Sequence, residues 1–211
     1  TILPDSFRNL PILFVVGRDT GAHADAFLSR LQAGGIEHGS KRRGQGGFPF
    51  VADNPEIGAW ILSRVRNPFP QQVSVLPTSN RRTSAFWVTI HRCDPIATAS
   101  PASRPRLDAT VDRARNTFRV TARGIQEFSL LVNDAILDLD AEIQVVVNGE
   151  PVWRGTKARS LDALATGVLS TSDPHWLYVR EIDAVGPSAV ARAAVGSDAS
   201  AAAMAIRWVA P

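Results

Sequence analysis

Two side chains able to hold a metal or exchange protons stand two residues apart in SAFWVTIHRC: His91 and Cys93. On an extended strand residues i and i+2 share a face. A thiol beside an imidazole there could ligate a soft cation or titrate as a pair. The chain has one cysteine, which excludes an intrachain disulfide. The reading favoured on chemistry alone is a free structural cysteine. His91 is then expected to pack or to pair with Arg92 or Asp94. The other histidines, His23, His38 and His175, are scattered, and none has the spacing of a zinc site. Asp138, Asp140 and Glu142 alternate in DLDAE and would line one face if the segment were a strand. The segment lacks the glycine and further ligands of a calcium loop, so a turn between two strands is expected. Trp60, Trp87, Trp153, Trp176 and Trp208 could form a stacking platform for a sugar, but aromatic residues in alternating strands more commonly fill a core. No Gly-x-Ser-x-Gly nucleophile elbow occurs in a strand-to-helix setting. No motif implies a cofactor or a metal.

The elements that must position these residues fall into two kinds. Up to about residue 75, strand and helix alternate, the pattern of an α/β layer. LPILFVVG is a continuous apolar run of the kind buried on both sheet faces. AHADAFLSRLQAGG carries Ala26, Phe27, Arg30 and Leu31 at helical spacing and closes on a glycine pair. IEHGSKRR reads as a weak polar strand. NPEIGAWILSRVRNPFP places Ile57, Trp60, Ile61, Arg64 and Val65 at helical spacing, with Asn54 as cap, Pro55 in the first turn, and Pro68 and Pro70 as terminators.

From about residue 72 the period becomes two. QQVSVLP, SAFWVTIHRC, LDATVDRARNTFRVTARG, FSLLVND, EIQVVVNGEPVWRG and HWLYVREI all read as strands. Asn148-Gly149 lies between two β-rich runs and predicts a tight hairpin. SLDALATGVL, capped by Ser160, predicts one short helix. ATASPASRP, before Arg106, has no periodicity and reads as a linker. The expected division is therefore 1–95, 106–185 as a mostly antiparallel β-sandwich-like domain, and an alanine-rich tail, 186–211. SAFWVTIHRC is expected to pair with the β part despite lying before the linker. Val120, Leu131, Val145, Val147 and Trp153 are the expected core of that part.

Bulk properties narrow the partners. The chain has 211 residues, is 45% hydrophobic and carries a formal charge of +3. Its positive charge is dispersed, and Lys41 to Arg43 is the only tight basic cluster, more consistent with a solvated loop than with a nucleic-acid surface. No apolar run reaches the roughly 20 residues of a membrane helix. Neither nucleic acid nor membrane is expected as a partner.

The order of elements in the first 75 residues resembles the C-terminal portion of an α/β-hydrolase of the dienelactone hydrolase, prolyl-oligopeptidase or polyhydroxybutyrate-depolymerase sort. The residues that carry the resemblance are PILFVVG, Gly17-Arg18-Asp19-Thr20, GQGG at Gly44 to Gly47, and FPFVADNPEIGAWIL. The β part, centred on LLVNDAILDLDAEIQVVVNGEPVWRG, resembles a C-terminal extension of some bacterial hydrolases of this group. The resemblance implies an α/β plus β fold, with a partial hydrolase-like sheet in 1–95. It places Asp19 at the position of the acid that orients the catalytic histidine; Asp19 also suits a turn or helix start by itself. The histidine's own place is held by Gly47, which cannot take a proton from a serine. His38, about nine residues earlier, is the substitute base within reach of this reading. Two functions follow. One is a pseudoenzyme-like structural or partner-binding module, catalytically incomplete on its own and completed by an N-terminal hydrolase segment or another polypeptide. The other is one piece of a serine hydrolase, an esterase or peptidase, whose nucleophile lies on a preceding segment or another chain.

Overall fold

The structure is a computed structural model and describes residues 7–16, 21–42, 54–65, 67–79, 83–96, 103–171 and 177–186. Strands dominate, with three α-helices among the described residues. None of these helices is long and apolar enough to cross a membrane. The chain divides into two compact units, residues 1–67 and 68–211.

In the first unit, β1 (Leu13–Val16) and β2 (Gly39–Arg42) pair in parallel, joined through α1 (Gly21–Ala33). A parallel pair needs such a crossover, and the helix supplies it. α1 packs through Phe27, whose ring stands edge-on to Phe14 of β1 at 5.3 Å, and through the fully buried Leu31. Its end follows the glycine pair: Gly35 sits at φ +63°, and the amide of Ile36 donates to the carbonyl of Leu31. β1 is shorter than its apolar run and only Val16 is buried, so the expectation of a strand covered on both faces does not hold for Leu13 to Val15. α2 (Pro55–Leu62) starts as its sequence dictates: the Asn54 side chain accepts from the amides of Glu56 and Ile57. It ends at Leu62, well before Pro68, because the Ser63 hydroxyl donates to the carbonyl of Trp60 and the Arg64 amide closes a tighter turn on Ile61. Ile57 is buried, whereas Leu62 and Val65 are 86% and 92% exposed.

The second unit holds two sheets. One has the order β10-β9-β7-β6-β3 and the other β11-β8-β5-β4. Their strands are β3 (Gln72–Val75), β4 (Ser84–Ala85), β5 (Val88–Cys93), β6 (Arg106–Asp112), β7 (Thr117–Arg123), β8 (Ile125–Val132), β9 (Ile143–Val147), β10 (Glu150–Gly155) and β11 (Arg180–Val185). Alternate residues from both sheets form one core, including Val73, Val88, Ile90, Leu107, Phe118, Phe128, Leu130, Ile143, Val145 and Ile182. Trp87 is buried in it, 5.2 Å from the ring of Phe118, and its indole N–H donates to the carbonyl of Pro70 at 2.8 Å. Of the expected core residues, Val120, Val145 and Val147 are buried, while Leu131 and Trp153 pack at its margin. α3 (Leu161–Thr171) begins at Ser160, whose hydroxyl accepts from the amide of Ala163.

One feature departs from the sequence reading. The break between units falls at Asn67/Pro68 rather than within 95–106, so β3 belongs with the β part, together with β4 and β5, whose segment SAFWVTIHRC is expected to pair there. The physical reason is pairing: β3 lies against β6 and β5 against β8, across the ATASPASRP segment. Pairing in the second unit is mostly antiparallel, but the five-stranded sheet is mixed, because β9 runs parallel to β7. The chain passes from β7 to β8 in the other sheet at Gly124, φ +63°, and returns beside β7 through residues 133–142. The acidic series Asp138, Asp140 and Glu142 lies in that return loop, the turn between two strands that its sequence leads one to expect. The Arg159 guanidinium pairs with Asp134 and Asp140, and Arg154 with Glu142 at 2.5 Å. Hydrogen bonding from Arg159 holds both Asp134 and Asp140 below the usual carboxylate range.

Candidate functional site

A cluster of chemistry-bearing side chains lies on the outer face of the four-stranded sheet. It is built from His91 of β5, Ser129 of β8, and Glu181 and Asp183 of β11. Period two dictates the last pair: in Glu181-Ile182-Asp183-Ala184 the isoleucine and alanine face the core and both carboxylates face out. Register brings Asp183 opposite Ser129 across the β11–β8 ladder, and Thr89 opposite Ser129 on the other side. His91 would be one strand step further along, but a bulge intervenes. Ile90 pairs with Phe128 and Arg92 with Glu127, so two β5 residues span one step of β8. The bulge aims His91 over Ser129.

The same bulge settles the His91–Cys93 pair. It breaks the alternation, so His91 and Arg92 are exposed while Cys93 packs against the core. The two do not share a face, and His91 pairs neither with Arg92 nor with Asp94. Arg92 pairs with Glu127 at 2.5 Å and Asp94 accepts from Gln126. Burial, and then the neighbouring Asp94 charge, push the Cys93 thiol up from its ordinary value.

The hydrogen bonds define what the cluster can do. The Ser129 hydroxyl, fully buried beneath its neighbours, donates to Asp183 Oδ1 at 2.8 Å, because an ionised carboxylate only accepts. Its one proton is then committed, so the short contact from His91 Nε2 must be a donation from the ring N–H to Ser129 Oγ. Glu181 Oε1 stands 3.6 Å from the same ring nitrogen. A hydrolytic triad needs the reverse arrangement: an imidazole that accepts the serine proton, with the carboxylate on the imidazole's other nitrogen. Here the serine sits in the middle, holding an imidazole and a carboxylate together. The arrangement positions groups and does not activate a nucleophile.

The residues singled out from sequence are placed elsewhere. His38 immediately precedes β2, half-buried, with its Nδ1–H donating to the carbonyl of Ile36 at 2.8 Å. Asp19, Gly47 and the rest of GQGG lie outside the described residues, as do His175, Trp176 and Trp208. His23 is exposed on α1. The three described tryptophans make no platform: Trp87 is in the core, Trp60 lies on α2 under the Arg64 guanidinium, and Trp153 lies on β10 under the Lys157 ammonium. The sequence reading missed Ser129, Glu181 and Asp183. The alternation in REIDAV signals the two carboxylates, but nothing local signals the serine within FSLLV. In comparisons with known proteins, no family model, no curated protein and no solved structure matches this chain.

Proposed function

We propose that this chain is a non-catalytic module that acts by structural support or by binding a partner polypeptide. The observation that carries the reading is the hydroxyl of Ser129. The only described serine in contact with a histidine is buried, spends its proton on Asp183 and receives one from His91. Such a hydroxyl has no base to activate it. The α/β-hydrolase resemblance belongs to this proposal in its coarse form. The β1–α1–β2 parallel crossover is the building block of such sheets, and Gly47 removes the residue that would serve as base. The exposed Ile61, Leu62 and Val65 give the first unit apolar surface for a polypeptide to cover.

The test is turnover of an activated ester such as p-nitrophenyl acetate, together with labelling by a fluorophosphonate serine probe. The expected outcome is hydrolysis no faster than blank and no label on Ser129. Turnover that disappears in Ser129→Ala or Asp19→Ala would overturn the reading and favour the alternative, a piece of a serine hydrolase completed by a preceding segment or another chain.

A further inference from the structure

The outer face of the four-stranded sheet has a second use that needs no nucleophile. One imidazole nitrogen of His91 and one carboxylate oxygen each from Glu181 and Asp183 all lie within 4.8 Å of one another. All three side chains are exposed, so a cation can reach them from solvent. Donors about 2.1 Å from a tetrahedral cation are separated from each other by about 3.4 Å. The His91–Glu181 separation of 3.6 Å is already near that value, and the remaining contraction needs only side-chain rotation. We propose that His91, Glu181 and Asp183 form a three-ligand site for a first-row divalent cation of the zinc class, with a coordination position left open to water or to a partner's side chain.

Several features distinguish this cluster from an ordinary group of surface acids. The ligands come from β5 and β11, which flank β8 on opposite sides. They meet only because the intervening residue is a serine, small enough for both neighbours to lean over. Ser129 also fixes Asp183 by donating to Oδ1, which leaves the other carboxylate oxygen for a metal. Carboxylate ligands are commonly held by such an outer partner. To ligate, His91 moves its ring proton to Nδ1 and turns the Nε2 lone pair to the cation, giving up its hydrogen bond to Ser129. Arg92, next to His91 on β5, is paired with Glu127. The donor set is one nitrogen and two oxygens, which suits zinc, cobalt or manganese better than the all-oxygen shells of calcium and magnesium.

The experiment is calorimetric titration of the intact chain with Zn²⁺, repeated with Co²⁺ to read the visible absorption of the bound ion. The expected result is one saturable site per chain, a Co²⁺ spectrum of low coordination number, and weak or no binding of Mg²⁺. His91→Ala and Glu181→Gln should each weaken Zn²⁺ binding by at least ~10-fold. Both residues are exposed, so circular dichroism should show the fold unchanged in each variant. No saturable binding would overturn the proposal, as would binding that both variants leave intact. Neither result touches the non-catalytic reading of Ser129, which stands on turnover and labelling.

Discussion

At the scale of single residues, the decisive features are those that a one-residue shift creates. His91 and Cys93 are two apart, and an uninterrupted strand would present them together. Alternation already places His91 on the outer face with Thr89, and one extra residue in β5 turns Cys93 toward the core instead. The consequence for Cys93 can be measured. Its thiol is pushed up by burial and by the Asp94 carboxylate, so less thiolate is present at neutral pH than in an open peptide. Alkylation by iodoacetamide is expected to be slower than that of a model thiol at pH 7 and to rise toward it only at higher pH. Asp94→Asn should speed the reaction modestly, since it removes the smaller of the two causes. Reaction as fast as the model thiol in the native chain would contradict this environment. The candidate site was half legible at this scale. The carboxylate pair follows from period two in REIDAV, a local property. The serine between them and the bulge that brings His91 over it depend on which strands are neighbours, which no local pattern encodes.

At the scale of elements, what the sequence specifies well is where a segment starts, stops and turns. Asn54-Pro55 begins α2, Gly34-Gly35 ends α1, and Asn148-Gly149 turns β9 into β10 with φ of 51° and 92°. Each is a backbone requirement met by the residue present. Pairing across distance is less visible, because it rests on side-chain brackets. Asn148 is one: besides turning the hairpin, its amide accepts from the N–H of Ala122 and donates to the Ala122 carbonyl, extending the parallel β7–β9 contact. Asn116 is the other. At φ 49° it adopts the left-handed conformation that asparagine tolerates. Its side chain donates to the carbonyls of Asp138 and Glu142 and accepts from the N–H of Asp138. It thereby ties the return loop to the start of β7. Loss of three hydrogen bonds at about 1 kcal/mol each predicts that Asn116→Ala destabilises the fold by roughly 2–3 kcal/mol. Asn116→Gly isolates the side chain, because glycine keeps the backbone conformation without strain. Equilibrium urea unfolding measures both, and a change under 0.5 kcal/mol in Asn116→Ala (about the scale of a neutral surface substitution) would show that the bracket does not hold the loop.

At the scale of the whole molecule, the question is which stretch of chain makes a stable β unit. Composition put the divide at ATASPASRP, and that segment has the character of a linker. Core membership puts it at Asn67/Pro68 instead. Val73, Val75, Trp87, Val88 and Ile90 all precede the linker and are all buried in the shared core. Burying each such side chain is worth about 2 kcal/mol, so the five together contribute on the order of 10 kcal/mol. That is comparable to the entire stability of a typical domain, roughly 5–15 kcal/mol. Residues 106–186 alone therefore should not fold, whereas residues 68–186 should unfold cooperatively. β5 is also an interior strand of its sheet, paired with β4 on one side and β8 on the other, so its loss would open the sheet as well as the core. Proteolysis gives the sharper test. A protease that cuts within residues 97–105 should nick the β unit without releasing it, because β3 and β5 remain bonded to β6 and β8. The two fragments should co-elute on native sizing and separate only in denaturant. Fragments that part spontaneously after the cut, with residues 106–186 remaining soluble and ordered, would overturn the assignment of β3 to β5 to this unit.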